Sequence, residues 1–290
     1  MGFTSADIKE LREKSGAGMM DCKKALDESN GDVEKANEWL RKKGINTAQK
    51  KSSRSASEGL VTVNILENKG VIIEINSETD FVARNENFQK FCRDVSSSCI
   101  KNQVENIEDI LSSEYLDSKE TVQSQLTDII AKIGENIVIK KLKFINSKEN
   151  KLQKYIHNSI NDFSGKIGVL LNYSCKSENE NVNELSKNLC MHIAASDPKS
   201  LDIQSLDKTL IDKEKSIYKE QLKSSDKPDN IVEKIVDGKI KKYYDEVCLL
   251  EQFFVMDNKL KIKDLISDFN SNQSENFQIS NYYIFKLGQE

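Results

Sequence analysis

Apolar residues in the first 45 positions recur at spacings of three and four, the period of helices that bury one face. Ser5 is placed to cap a helix carrying Ile8 and Leu11, and Ser15-Gly16-Ala17-Gly18 ends it. A second helix runs from about Met19 to Ser29 with Met20, Ala25 and Leu26, after which Asn30-Gly31-Asp32 reads as a C-cap followed by an N-cap. The third helix sets Val33, Ala36, Trp39 and Leu40 on one face and is expected to stop at Gly44. Residues 1–45 therefore form a compact helical module whose small core suits docking better than catalysis. Residues 46–58, NTAQKKSSRSASE, lack an apolar period. They are expected to be a solvated tether, with Lys50, Lys51 and Arg54 giving it local positive charge.

Beyond the tether the period shortens to that of strands, and the pattern occurs twice. GVIIEINSE from Gly70 is echoed by GVLLNYSCK from Gly168. Each follows a strand-like run, LVTVNIL at Leu60 or LQKYIHN at Leu152, and each precedes a helical pattern starting at Asn85 or Asn181. Each half closes on another alternating run, ENIVIKKLKFI from Glu135 or ISNYYIFKL from Ile279. The order predicts an α+β chain with two related subdomains, 59–146 and 147–290, each a three-stranded antiparallel sheet with helices on one face. Between about 206 and 247 two long helices are expected, broken at Ser224-Ser225-Asp226-Lys227-Pro228, with Pro228 in the first turn of the second. On that second helix Val232, Val236, Ile240, Tyr243 and Val247 form a seam, so an inserted antiparallel helical hairpin follows.

Composition narrows the function classes. The 290 residues are 37% hydrophobic and 31% charged, as in a soluble chain of two or more domains, and the net charge of -4 provides no field for holding nucleic acid. Six cysteines without a CxxC pair read as buried free thiols. His157 and His192 are the only histidines, and Cys190 and His192 fall on different faces of a helix, so no metal is expected. No apolar run is long enough to span a bilayer, and the N-terminus lacks the order of a secretory signal. Gly2 invites a myristoylation reading, against which the early acidic residues and the lack of a second membrane signal weigh. A cytoplasmic location and no membrane contact are expected.

Candidate chemistry is sparse. The sequence has no nucleophile elbow, no HExxH and no GxxxxGK[ST]; Gly16-Ala17-Gly18 lies between two helices and is a turn. The segment INSETDFVARN, Ile75 to Asn85, places Glu78 and Asp80 two apart, a spacing that puts both carboxylates on one face of extended chain. Without a third ligand or base they are better explained by a helix start, with Thr79 or Asp80 capping the turn that begins near Phe81. A cap leaves Phe81 unexplained, an aromatic residue at the outer end of a strand.

LREKSGAGMMDCKKALDESNGD (Leu11 to Asp32), ETDFVARN (Glu78 to Asn85) and KPDNIVEKIVDGKIKKYYDEVCLLEQFFV (Lys227 to Val255) together resemble the translation elongation factor Ts family. KIGVLL from Lys166 and MHIAASDPK from Met191 lie in the same order between the last two. The resemblance implies a guanine-nucleotide exchange factor for elongation factor Tu, with no catalytic residues or cofactor and no direct binding of nucleotide or nucleic acid. It implies that the N-terminal module is ubiquitin-associated-like and that Arg12, Met19 and Met20 touch the nucleotide-binding domain of Tu. Thr79, Asp80, Phe81 and Val82 match the turn that the family uses to displace magnesium from Tu, with Phe81 entering an apolar pocket and Asp80 supporting it. His157 matches a histidine near the partner surface. The helical hairpin resembles the element through which some members dimerise, which puts a homodimer among the expected assemblies.

Three departures from the family pattern are visible. The chain stops at Lys286-Leu287-Gly288-Gln289-Glu290 where members commonly carry a further helical segment, so one contact to Tu is expected to be absent or supplied elsewhere. NSINDFSG after His157 replaces a short glycine-rich turn, and Lys166 stands where arginine is common. The competing readings are a ubiquitin-associated-like adaptor or chaperone-type binding protein without exchange activity, and an enzyme built on Glu78 and Asp80.

Overall fold

The computed structural model describes residues 3–222 and 228–289. In chain order the elements are helices α1 (Ser5–Ser15), α2 (Met19–Glu28) and α3 (Val33–Lys51), strands β1 (Glu58–Leu66) and β2 (Lys69–Ser77), helices α4 (Asp80–Ala83), α5 (Glu86–Asn102), α6 (Ile107–Ser112) and α7 (Val122–Ile133), and strand β3 (Ile137–Asn146). The later part has strands β4 (Lys151–His157), β5 (Ser164–Gly165) and β6 (Ile167–Ser174), helices α8 (Glu180–Ser196), α9 (Lys208–Leu222) and α10 (Asp229–Val247), strands β7 (Phe253–Phe254) and β8 (Asp257–Lys261), helix α11 (Ile262–Gln273) and strand β9 (Gln278–Lys286). The chain divides into two compact units, one of Met1–Asn146, Asn158–Gly168 and Phe285–Glu290, the other of Ser147–His157 and Val169–Ile284.

In the first unit Leu11, Cys22, Ala25, Leu26 and Ala36 form the core of the helical module, with Trp39 and Leu40 packed on it. The cap of α1 is Thr4 and not Ser5. The Thr4 hydroxyl accepts from the Asp7 amide at 3.3 Å while the Asp7 carboxylate accepts from the Thr4 amide at 2.6 Å, a reciprocal box that satisfies two amides. Helix α3 does not stop at Gly44. A Cβ there would lie 3.4 Å from the Ala131 Cβ, so the glycine marks close packing of α3 on α7, and the Ala, Gln and Lys that follow are good helix formers. Residues 46–51 are consequently helix and not tether, and Lys51 donates to the Gly134 carbonyl.

The sheet of this unit is antiparallel in the order β3-β2-β1-β5. It has four strands where three were expected. The fourth comes from the NSINDFSG segment: Ser164 pairs with Thr62, their hydroxyls 2.7 Å apart, and the Val63 amide donates to the Phe163 carbonyl at 2.8 Å. Leu60, Val71, Ile73 and Ile75 pack with Phe88, Phe91 and Val95 of α5 and with Leu126, Ile129 and Ile130 of α7 into one continuous core. Gly59 sits at φ +123°, where a Cβ would fall 2.2 Å from the Ile75 carbonyl oxygen, so no other residue fits this strand approach.

The second unit carries the three-stranded sheet β4-β6-β9 and the short β7-β8 hairpin. Tyr173 stacks on Phe277 with ring centroids 4.8 Å apart, and Val182, Leu189 and Ile193 of α8 are fully buried. Helices α9 and α10 pack against each other, with Val236 and Ile240 buried and Val232, Tyr243 and Val247 half-buried along the expected seam. Pro228 is the N-cap of α10, one position before the first turn. Ser224-Ser225-Asp226-Lys227, where the break between the two helices was expected, and Gly2 lie outside the described residues. Among the described residues no helix is long and apolar enough to cross a membrane.

Candidate functional site

The turn after β2 presents an aromatic side chain outward. Helix α4 is a single turn, and because successive helical residues step by about 100°, Val82 and Ala83 enter the core while Phe81 does not. Val82 is 5% exposed, Ala83 2% and Phe81 80%. The Arg84 and Asn85 amides donate to the Phe81 and Val82 carbonyls at 3.1 and 2.9 Å, and Gln89 Nε2 donates to the Ala83 carbonyl at 3.0 Å. Asn85 then caps α5, its Oδ1 accepting from the Asn87 amide at 2.9 Å.

The entry to the turn is equally tied. Neither Thr79 nor Asp80 caps α4 through its side chain: Thr79 holds the N-cap position and Asp80 is the first helical residue, exposed to solvent. The Thr79 hydroxyl is drawn elsewhere. It donates to Glu135 Oε1 at 2.7 Å, and the Thr79 amide donates to Glu135 Oε2 at 2.9 Å; an ionised acceptor makes stronger hydrogen bonds than a helix amide offers a neutral hydroxyl. Next to it Glu78 Oε1 accepts from the Asn136 amide at 2.7 Å, and Arg54 lies 3.4 Å from Glu78 Oε2. Asn136 Nδ2 donates to the Arg54 carbonyl at 2.7 Å. Arg54, expected in a solvated tether, is thus part of the support under Phe81.

This arrangement leaves little for proton transfer. The Asn136 amide, and after it the Arg54 charge, hold the Glu78 carboxyl below the usual carboxylate range, which makes it a weak base. Its side chain is engaged with Asn136 while Asp80 stands exposed one residue beyond Thr79. Two clefts flank α3. One of about 540 Å³ is lined by mixed charges including Lys14, Asp21, Lys43 and Lys132. The other, about 770 Å³, is lined by Ile45, Ala48, Leu111, Leu126 and Val138 among others. Neither lining includes a histidine or a cysteine, and among the described residues no cluster of three or more His, Cys, Asp or Glu is placed to hold a metal.

Arg12, Met19 and Met20 sit around the α1–α2 turn of the same unit and all three are exposed, Met20 by 76%. The turn itself is shaped by Gly16 at φ +64°, whose amide donates to the Arg12 carbonyl at 2.8 Å. His157 ends β4 in the second unit, exposed, with Nδ1 3.1 Å from the Tyr155 hydroxyl. His192 is the opposite case. It is fully buried, Nε2 lies 2.9 Å from Gln252 Oε1, and Nδ1 accepts from the Val255 amide at 3.2 Å. Sequence reasoning missed Glu135 and Asn136, whose only outward sign is a Gly-Glu-Asn turn before a strand. It also passed over Phe253, Val255 and Met256, which stay 47 to 49% exposed around the β7-β8 hairpin; the run FFVM before Asp257 was the available sign.

A sequence model of the family described as "Elongation factor TS" matches residues 78–289. Elongation factor Ts of Erythrobacter litoralis (strain HTCC2594) is 43% identical over 288 residues, 99% of this chain and 93% of the relative. Elongation factor Ts of Ehrlichia chaffeensis (strain ATCC CRL-10679 / Arkansas) is 42% identical over 282 residues, 97% of this chain and 98% of the relative. A third, from Bartonella bacilliformis, is 40% identical over 289 residues, 100% of this chain and 94% of the relative.

Proposed function

The chain belongs to the elongation factor Ts family of protein biosynthesis, and we propose that it is a guanine-nucleotide exchange factor for elongation factor Tu that acts by binding alone. The observation that carries this reading is Phe81, 80% exposed on a turn hydrogen-bonded at both ends. An aromatic side chain presented on a turn anchored at both ends, within the ETDFVARN segment that matches the family, is available to fill a partner's pocket.

Exchange by binding requires that the partner's nucleotide-free arrangement be bound better than its nucleotide-bound one; the weakening is then reciprocal. Phe81 entering an apolar pocket of Tu, with Asp80 beside it, would favour the arrangement in which magnesium and phosphate contacts are lost. Thr79 and Val82 hold the turn from either side, one through Glu135 and one through the core. Arg12, Met19 and Met20 would hold the nucleotide-binding domain while it rearranges, a task for which flexible thioether side chains are suited. His157, exposed at the end of β4, would lie at the partner surface of the second unit. No covalent step on this chain is needed, so it is not an enzyme in this reading. A homodimer through the α9–α10 hairpin extends the proposal, supported by Leu210, Ile217 and Ile231, each 37 to 40% exposed.

The test is release of fluorescently labelled GDP from the cognate Tu, followed with and without this protein. Acceleration that saturates with its concentration is expected. Release at the unassisted rate across the titration would refute the proposal and leave an adaptor role.

A further inference from the structure

The loop between α7 and β3 holds the entry to the Phe81 turn through hydrogen bonds to Glu78 and Thr79, beside the Ser77 hydroxyl that donates to the Thr79 carbonyl at 2.9 Å. Glu135 takes both donors of Thr79, the amide at 2.9 Å and the hydroxyl at 2.7 Å. In return Glu78 takes the Asn136 amide at 2.7 Å. Two successive residues before Phe81 therefore exchange hydrogen bonds with two successive residues before β3, and each bond has one ionised partner. The loop is itself anchored from the end of α3 and the segment after it: Lys51 donates to the Gly134 carbonyl, and the Arg54 carbonyl accepts from Asn136 Nδ2 at 2.7 Å. Glu135 is half-buried, so solvent competes only partly for its carboxylate.

We propose that Glu135 is the positioning residue of the exchange turn: its carboxylate clamps Thr79 so that Phe81 is held, before any partner arrives, in the direction in which it docks. The inference rests on the exchange reading of Phe81 given above. Phe81 has almost no contacts of its own to orient it, being 80% exposed. Its direction is inherited from the backbone, and Thr79 is the last residue before α4 at which that backbone is fixed by a side chain. A loosened turn must be ordered at the moment of docking, and that ordering cost is subtracted from the binding that drives nucleotide release. Glu135 contributes nothing to the apolar contact itself. Its effect is expected chiefly in the maximal rate of exchange, because the turn acts on the nucleotide-free arrangement, while Met19, Met20 and Arg12, on another part of the chain, would hold the partner in both arrangements.

The experiment uses the full chain, as wild type, Glu135→Ala, Glu135→Gln, Thr79→Val, Phe81→Ala and the double variant Phe81→Ala with Glu135→Ala. Glu135→Ala removes both hydrogen bonds to Thr79 and is expected to lower the maximal rate of labelled-GDP release from Tu on the order of fivefold, less than Phe81→Ala does, because water replaces part of what a half-buried carboxylate supplies, with half-saturation changed less than about twofold. Glu135→Gln keeps one carbonyl acceptor, and Thr79→Val keeps the amide donor and the β-branched shape. Both should fall between wild type and Glu135→Ala, and they answer the question if the alanine variant fails to fold. In the Phe81→Ala background the same Glu135→Ala change should have little further effect, since the side chain it positions is gone. In the free protein, hydrogen exchange at the Thr79 amide should be faster in Glu135→Ala than in wild type while the amides of β2 are unchanged. Wild-type exchange rates in folded Glu135→Ala, or an equal loss in the presence and absence of Phe81, would overturn the proposal. If wild type itself fails to accelerate release, the exchange reading falls, while unchanged Thr79 amide exchange in Glu135→Ala would show separately that no clamp exists.

Discussion

Replacing Phe81 by alanine separates exchange from folding more cleanly than any other substitution. The side chain is 80% exposed, so the free protein loses almost no burial and its stability should change by less than about 0.5 kcal/mol. Complete burial of a phenylalanine contributes about 1.5 to 3 kcal/mol. Docking the exposed four-fifths would therefore supply about 1.2 to 2.4 kcal/mol, equivalent to about 8- to 60-fold in a rate. The loss should appear in the maximal rate of GDP release, because the contact favours the nucleotide-free arrangement over the bound one. Stopped-flow release of labelled GDP from Tu, titrated with wild type and Phe81→Ala, reads both the plateau and the half-saturating concentration. Phe88, three residues into α5 and fully buried, is the contrast: Phe88→Ala should destabilise the fold by about 3 to 5 kcal/mol and is read by melting. An unchanged plateau with only a shifted half-saturation for Phe81→Ala would mean that Phe81 binds both arrangements equally, and the wedge would be refuted.

Met19 and Met20 are 60% and 76% exposed, and their joint replacement by alanine should raise the half-saturating concentration about tenfold, as expected of an interface hot spot, with the plateau and the melting temperature unchanged in the same titration. His192 is buried among neutral partners, and desolvation lowers its pKa below the usual 6.5. The unfolded chain then binds the proton more readily, so stability falls as pH drops below about 6.5, by at most about 1.4 kcal/mol per pH unit. Thermal or urea unfolding of His192→Gln should lack that component of the acid-side slope, and parallel pH profiles for the two proteins would refute it. Five of the six cysteines are buried and Cys175 alone is half-buried. Burial pushes the Cys99 thiol up to about 12. Burial, and after it the nearby Glu275 and Glu178, also raise the Cys175 thiol, so titration of the native protein with a thiol reagent should show one slowly reacting group, absent in Cys175→Ser, with the others reacting only on unfolding.

Much of the fold is legible along the chain because its determinants are local. The spacing of Ala25, Leu26, Val33, Ala36 and Leu40 sets helices that can bury only one face, and the alternation in LVTVN and GVIIEIN sets strands. The α10 seam from Val232 to Val247 was readable for the same reason, and so was the family, through ETDFVARN. Boundaries proved less legible. Gly44 looks like a helix stop until α3 is seen to continue through it, packed on Ala131, 87 positions on, and Ser5 looks like a cap until the Thr4–Asp7 pair outcompetes it.

Hydrophobic period, turn residues and the outward aromatic at position 81 belong to stretches of ten residues or fewer, and the linear chain contains them whole. The direction of Phe81 does not. The turn that carries Phe81 is tied to Glu135 and Asn136, 56 and 58 residues from Thr79 and Glu78, and to Arg54, which a linear reading assigns to a solvated tether. A carboxylate shows no preference for a partner until folding brings two strand ends together, because hydrogen bonds act over about 3 Å and leave no periodic trace in sequence. The local pattern names the residue that is exposed, and the tertiary contacts decide how the turn beneath it is anchored.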